Sequence, residues 1–168
     1  MLDQNTKQQL KAYLENLKNN IELVLSLDES DTANKLSGLA DDIASVSDKV
    51  TIINDASASD RKPVLRVVNP EKQTSITFAG VPMGHEFTSL VLALLHSGGH
   101  PIKLEPEVIE QIANLKGEKK VEIYISLSCQ NCPDVVQAFN MMSAINSNIK
   151  TTMIEGGAFQ DEITERNV

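Results

Sequence analysis

The sequence predicts an α/β fold, and three observations carry that prediction. Short apolar runs of strand length alternate with stretches whose apolar residues recur at helical spacing. The alternation begins as helix, strand, helix, strand, and the same order restarts in the second half of the chain. A strand hands over to a helix at Cys129-Gln130-Asn131-Cys132, which holds both cysteines of the chain.

Leu10, Tyr13, Leu14 and Leu17 fall on one face of a first helix, and Ile21 to Leu25 is compact enough for a buried strand. Asp28 to Asp31 supply capping chemistry for a second helix with the inner stripe Leu36, Ala40, Ile43 and Ala44. A strand from Val50 to Ile53 and a polar loop from Asn54 to Lys62 follow. The extended runs Val64 to Val68 and Ser75 to Phe78, separated by Asn69-Pro70-Glu71-Lys72, predict a hairpin. Phe87, Leu90, Val91, Leu94 and Leu95 mark an amphipathic helix stopped by Gly98-Gly99.

From Pro106 the order repeats. Val108, Ile109, Ile112 and Leu115 mark a short helix ending near Gly117, and Val121 to Leu127 a strand. The Cys-x-x-Cys opens a helix bearing Val135, Val136, Phe139 and Met142, followed by a strand from Thr151 to Ile154 and a short helix from Phe159 to Asn167. Helix, strand, helix, strand, strand, strand, helix is the thioredoxin-type arrangement. The expectation is therefore two tandem thioredoxin-like folds. Residues 1–100 form a first one without cysteines; residues 101–168 form a second one with the Cys-x-x-Cys, truncated at its C-terminus and missing its hairpin and covering helix. Superposing the copies puts Ser26 to Ser30 at the position of Cys129, where no thiol exists. Thioredoxin folds often set a cis-proline opposite the active-site loop. Pro82 in Gly80-Val81-Pro82 is weighed for that place, against a trans form in roughly 95% of X-Pro bonds.

A Cys-x-x-Cys where a strand hands over to a helix reads as a dithiol-disulfide centre. Unpaired N–H groups and the positive end of the helix dipole favour the thiolate of Cys129, and Cys132 stands one turn further on, within disulfide reach. The remaining composition narrows the function. At 168 residues, 41% hydrophobic and 23% charged, the chain can bury a core. A formal charge of −8 with scattered basic residues argues against nucleic acid and anionic membrane surfaces. No apolar run approaches the ~18 to 20 residues of a membrane span, and the start Met1-Leu2-Asp3-Gln4-Asn5 lacks signal-peptide features. A cytoplasmic location is expected, and a reducing compartment suits a reversible pair.

The run Ile123 to Gln137, containing Ser-Cys-x-Asn-Cys-Pro, together with Gly84-His85-Glu86-Phe87-Thr88-Ser89-Leu90 and Glu162 to Val168, closely resembles the N-terminal region of the flavoprotein component of bacterial alkyl hydroperoxide reductase. The resemblance spans essentially the whole chain. It implies a tandem thioredoxin-like domain that carries electrons from a thioredoxin-reductase-like part, holding FAD and oxidising NADH, to the disulfide of a peroxiredoxin. Those cofactors belong to a part outside these residues, and none is expected within them. The implied partners are the peroxiredoxin component of the same system and the flavin reductase domains of the longer protein, with a homodimer left open.

Cys129, Cys132 and Glu86 are the candidate site residues. Glu86 has two readings: a first-turn carboxylate stabilised by about 0.3 to 1 kcal/mol through the helix dipole, or a proton acceptor and donor near the dithiol, which the resemblance favours. Pro133 needs no role beyond starting a helix. Met141 and Met142 read as packing, and Glu155, Asp161, Glu162 and Glu165 as a solvated face. Two alternatives stay open. One is a self-standing glutaredoxin-like disulfide reductase. The other is a zinc-stabilised binding module, for which His96 and His100 offer nominal ligand spacing.

Overall fold

The computed structural model describes all 168 residues. Helix α1 (Gln4–Leu14) begins at Asp3, whose carboxylate accepts from the Thr6 N–H at 2.7 Å. Leu10 and Leu14 are buried, whereas Tyr13 is 52% exposed, and Leu17 reaches the core from the turn beyond the helix. Strand β1 (Ile21–Ser26) leads to helix α2 (Asp31–Ala44), whose N-cap is Ser30. Asp28 steadies that cap by accepting from both the N–H and the hydroxyl of Ser30. Strand β2 (Val50–Asn54) then pairs parallel with β1, as a strand-helix-strand crossover requires.

The predicted hairpin is present as β3 (Val64–Asn69) and β4 (Thr74–Ala79), antiparallel and with Val64 opposite Ala79. The peptide bond before β3, Lys62–Pro63, is the cis one, and Val81–Pro82 is not. A single 3-10 turn, Gly84–Glu86, precedes helix α3 (Phe87–Ser97), which Gly98 ends as expected.

Helix α4 (Pro106–Ala113) is shorter than its apolar pattern suggested: only Ile112 is buried, while Val108 and Leu115 face solvent. Strand β5 (Lys119–Ile125) lies two residues earlier than predicted, because Ser126 and Leu127 already belong to the loop. Helix α5 (Cys132–Ile145) buries Val136, Asn140 and Ser143 rather than the expected Val135, which is 47% exposed. Strand β6 (Ile149–Glu155), a short turn and helix α6 (Gln160–Arg166) complete the chain.

All six strands form one sheet in the order β2-β1-β3-β4-β6-β5. The junction is β4 with β6, parallel, from Ile76 opposite Thr151 to Ala79 opposite Ile154. The hairpin and covering helix expected to be missing from residues 101–168 do not leave both of their strands at an edge: β6 lies between β4 and β5, and β5 is an outer strand. The cores merge as well, since Ile125, Val136 and Met153 pack in the same buried cluster as Leu23, Leu65, Ile76 and Phe78. The two strand-helix-strand units, β1-α2-β2 and β5-α5-β6, each with parallel neighbouring strands, flank the hairpin from opposite sides. This places α3 against α5, so that the turn before α3 lies beside the loop that carries the cysteines.

Candidate functional site

Strand β5 ends at Ile125, and the serines after it build the bend. Ser126 Oγ and Ser128 Oγ lie 3.0 Å apart, and the Cys129 N–H donates to the Ser126 carbonyl at 2.9 Å. Asn131 is the residue before the helix, and α5 starts at Cys132 with Pro133 in its first turn. Cys129 thus stands in the loop rather than in the helix. Its sulfur nevertheless reaches the helix N-terminus, because the Cys132 N–H donates to Cys129 Sγ at 3.2 Å. That N–H is one of the donors a helix start leaves unpaired, and such a bond favours negative charge on the sulfur. The two sulfurs are bonded to each other, with their Cα atoms 5.5 Å apart. Both residues are half-buried, and Cys132 packs against the central core.

Gly84 sets the approach of the neighbouring turn. Its φ is +58°, and a Cβ there would lie 3.0 Å from the Leu127 carbonyl oxygen, two residues before Cys129. Glu86, two residues on, is fully buried, and neither carboxylate oxygen has a hydrogen-bond partner. Burial pushes its carboxyl up from the ordinary value, against smaller opposing pulls from the Ser89 hydroxyl and the charge of His85. Glu86 thus stands at the N-terminus of α3 in a buried position, where the helix dipole and the cost of burial act in opposite directions. A solvated group would gain a few tenths of a kcal/mol from the dipole, whereas an unpartnered buried one is a net cost.

His96 and His100, weighed as zinc ligands, stand away from the Glu86 turn. His96 is in the last turn of α3, and a rise of about 1.5 Å per residue puts it roughly 15 Å along the helix axis from the turn at Glu86. No three His, Cys, Asp or Glu side chains gather in a geometry that could hold a metal ion.

The acids expected to form a solvated face do something else at Glu162. Arg61, in the loop before β3, donates from Nε and Nη2 to the two oxygens of Glu162 at 3.0 and 2.5 Å, and from Nη2 to Glu122 at 2.9 Å. Tyr124 Oη also donates to Glu162 at 2.6 Å, and Arg166 pairs with Glu122. The Arg61 guanidinium holds the Glu162 carboxyl down at about 2. Nothing in the local sequence announces this network, because Arg61 and Glu162 are 101 residues apart.

Comparison with known proteins agrees with this geometry, although no protein-family model matches the chain. The alkyl hydroperoxide reductase component AhpF of Pseudomonas aeruginosa is 52% identical over 168 residues, and that of Escherichia coli 54% identical over 168. Each match covers 100% of this chain and 32% of the relative. The likeness is to the N-terminal part of AhpF. A Bacillus subtilis protein described as NADH dehydrogenase is 46% identical over the same length. The N-terminal domain of the Enterococcus faecalis AhpF superposes with a TM-score of 0.88 at 26% identity, covering 100% of this chain and 86% of that one. A protein disulfide oxidoreductase from Aeropyrum pernix shares the fold, with a TM-score of 0.80 over 98% of this chain and 80% of that one, at 21% identity. The α/β, thioredoxin-like character expected from the element order is thus present, and the chain spans about a third of the length of the curated relatives it matches. No helix is long and apolar enough to cross a membrane.

Proposed function

We propose that the chain is a dithiol-disulfide electron carrier that takes electrons from an NADH- and FAD-dependent reductase module and passes them to the disulfide of a peroxiredoxin. The observation that carries this reading is the Cys129–Cys132 disulfide at the start of α5, with Cys129 Sγ accepting the helix's first N–H. The whole-chain likeness to AhpF supports the pathway.

In the reduced chain, Cys129 is the attacking group. Its thiol gives its proton to solvent, the thiolate forms a bond to one sulfur of the partner disulfide, and the other partner sulfur leaves as a thiolate and takes up a proton from solvent. Cys132 then loses its proton and attacks Cys129 Sγ, which breaks the mixed disulfide and releases the second partner sulfur. Glu86 is the group we assign to accept that proton and return it to the departing thiolate. Two electrons and two protons have moved: this chain ends as the disulfide and the partner as the dithiol. A dithiol on the reductase module reverses the change here by the same exchange.

FAD and NADH are assigned to that module. The broad depression beside α6 is lined by Asp60, Arg61, Lys62, Asp161, Glu162 and Glu165 and offers little apolar surface for an isoalloxazine ring, which supports that assignment. We read residues 1–100 and 101–168 as two thioredoxin-like copies, supported by the repeated strand-helix-strand units, and the cytoplasm as the compartment in which the pair cycles.

The test uses the reduced chain and an oxidised two-cysteine peroxiredoxin. Cys132→Ser is expected to trap a mixed disulfide through Cys129, and Cys129→Ser to abolish transfer. A trapped complex from Cys129→Ser alone would reverse the roles. Reduction of this chain by glutathione alone, with no transfer to the peroxiredoxin, would favour the glutaredoxin-like alternative.

A further inference from the structure

Ser89 lies one turn beyond Glu86 on α3, is fully buried, and accepts a hydrogen bond from Gln137 Nε2 at 3.2 Å. Gln137 belongs to α5, the helix that begins at Cys132. A serine inside a helix commonly turns its hydroxyl hydrogen back to a carbonyl of the preceding turn, but Ser89 makes no such bond. With an oxygen lone pair occupied by the amide, its hydrogen is free, and the neighbouring acceptor lacking a partner is the Glu86 carboxylate.

We infer that Gln137 and Ser89 are positioning residues that set when Glu86 can take a proton. This rests on the proton-accepting role assigned to Glu86 above. Gln137 holds the Ser89 oxygen so that the Ser89 O–H closes on the Glu86 carboxylate when it is ionised. Burial disfavours the ionised, proton-accepting form of the carboxyl, and the hydroxyl opposes that. The other titratable groups around this point are His85 on the same turn, His96 at the far end of α3, Asp134 on the exposed side of α5, and the cysteine pair itself. Because Gln137 is on the cysteine-bearing helix, the amide also ties α5 to α3, the helix at whose start the carboxyl stands.

The experiment follows the Glu86 carboxyl by carbon NMR across pH in the full chain, together with the pH profile of its exchange with a small aromatic disulfide. Removing the hydroxyl in Ser89→Ala is expected to lower the acid dissociation constant of Glu86 about tenfold, the weight of one hydrogen bond to a charged group. The rising limb of the exchange profile should move up in pH by the same amount. Ser89→Thr, which keeps the hydroxyl, should restore both. Gln137→Met should shift them in the same direction by less, and adding it to Ser89→Ala should change nothing further. An unmoved Glu86 titration in Ser89→Ala, or full additivity of the two changes, would overturn the inference. Glu86→Gln separates the two levels. If its exchange profile overlays that of the unmodified chain, the assigned role of Glu86 fails. If Glu86→Gln alters the profile while Ser89→Ala does not, only the positioning relay fails.

Discussion

Replacing Arg61 with methionine should remove the clamp that ties the loop before β3 to β5 and α6. Arg61 is the only cation that touches both oxygens of Glu162 directly and also reaches Glu122. The Glu162 carboxyl falls from 4.5 to about 2, chiefly through Arg61. One pKa unit corresponds to about 1.4 kcal/mol, so the full drop would amount to about 3.5 kcal/mol. The side chains retain 20% and 21% of their exposure, so solvent screens the pair. Tyr124 also takes a share of the shift. A loss of about 1 to 2 kcal/mol is therefore expected. The sign follows from linkage: a carboxyl whose folded value is depressed stabilises fully above its unfolded value and loses that contribution as pH falls from about 4.5 towards 2. Urea unfolding of both proteins between pH 7 and pH 3 should show the gap narrowing as pH drops. A gap that is constant across that range, or absent at pH 7, would refute the electrostatic account and leave Arg61 a packing residue.

Glu86→Gln should raise stability at neutral pH. The folded carboxyl is pushed up by burial, so its contribution is intact below the unfolded value and is lost as pH rises through the folded one; denaturant midpoints should diverge upward with pH. Asp42→Asn should destabilise the chain by about 1 to 2 kcal/mol at pH 7. Although burial opposes ionisation, Lys7, the Met1 amine and the Leu2 N–H hold Asp42 well below the usual carboxylate range, and thermal unfolding should show the penalty vanish in strong acid. Gly84→Ala should cost about 1 to 2 kcal/mol for its left-handed backbone, and crowding of the Leu127 carbonyl should also slow thiol exchange. Amide hydrogen exchange should be faster in β5, an outer strand, than in β1, which is paired on both sides; equal rates would mean that the sheet opens as a single unit.

Much of the local structure was legible because it is written locally. The Ser30 cap, the glycine stop after α3 and the strand-length runs at Ile21 and Val64 all depend on residues within a few positions of one another. The helix faces were less legible. Tyr13 and Val135 fit their apolar stripes but meet no covering element, and α4 has only one buried position because little packs on it. The dithiol was legible from spacing, though the helix begins three residues later than the first cysteine. What could not be read was anything set by distant pairing. The junction of β4 with β6 and the Arg61 clamp each depend on partners fixed only after the chain has folded.

That long-range junction is also what makes the site. Cys129 and Cys132 belong to the second strand-helix-strand unit, whereas Glu86 follows the hairpin of the first. Neither half holds both groups. Joining β6 to β4 sets α5 beside α3, and Gly84 lets the turn before α3 press against Leu127. The same packing strips water from Glu86 without supplying a fixed partner. A core needing only stability would be better served there by glutamine or an apolar side chain, since an unsatisfied buried carboxyl costs free energy that a neutral isostere avoids. The cost falls beside the loop that carries the cysteines, and under the function proposed above a carboxyl pushed up by burial is suited to exchanging protons with their thiols.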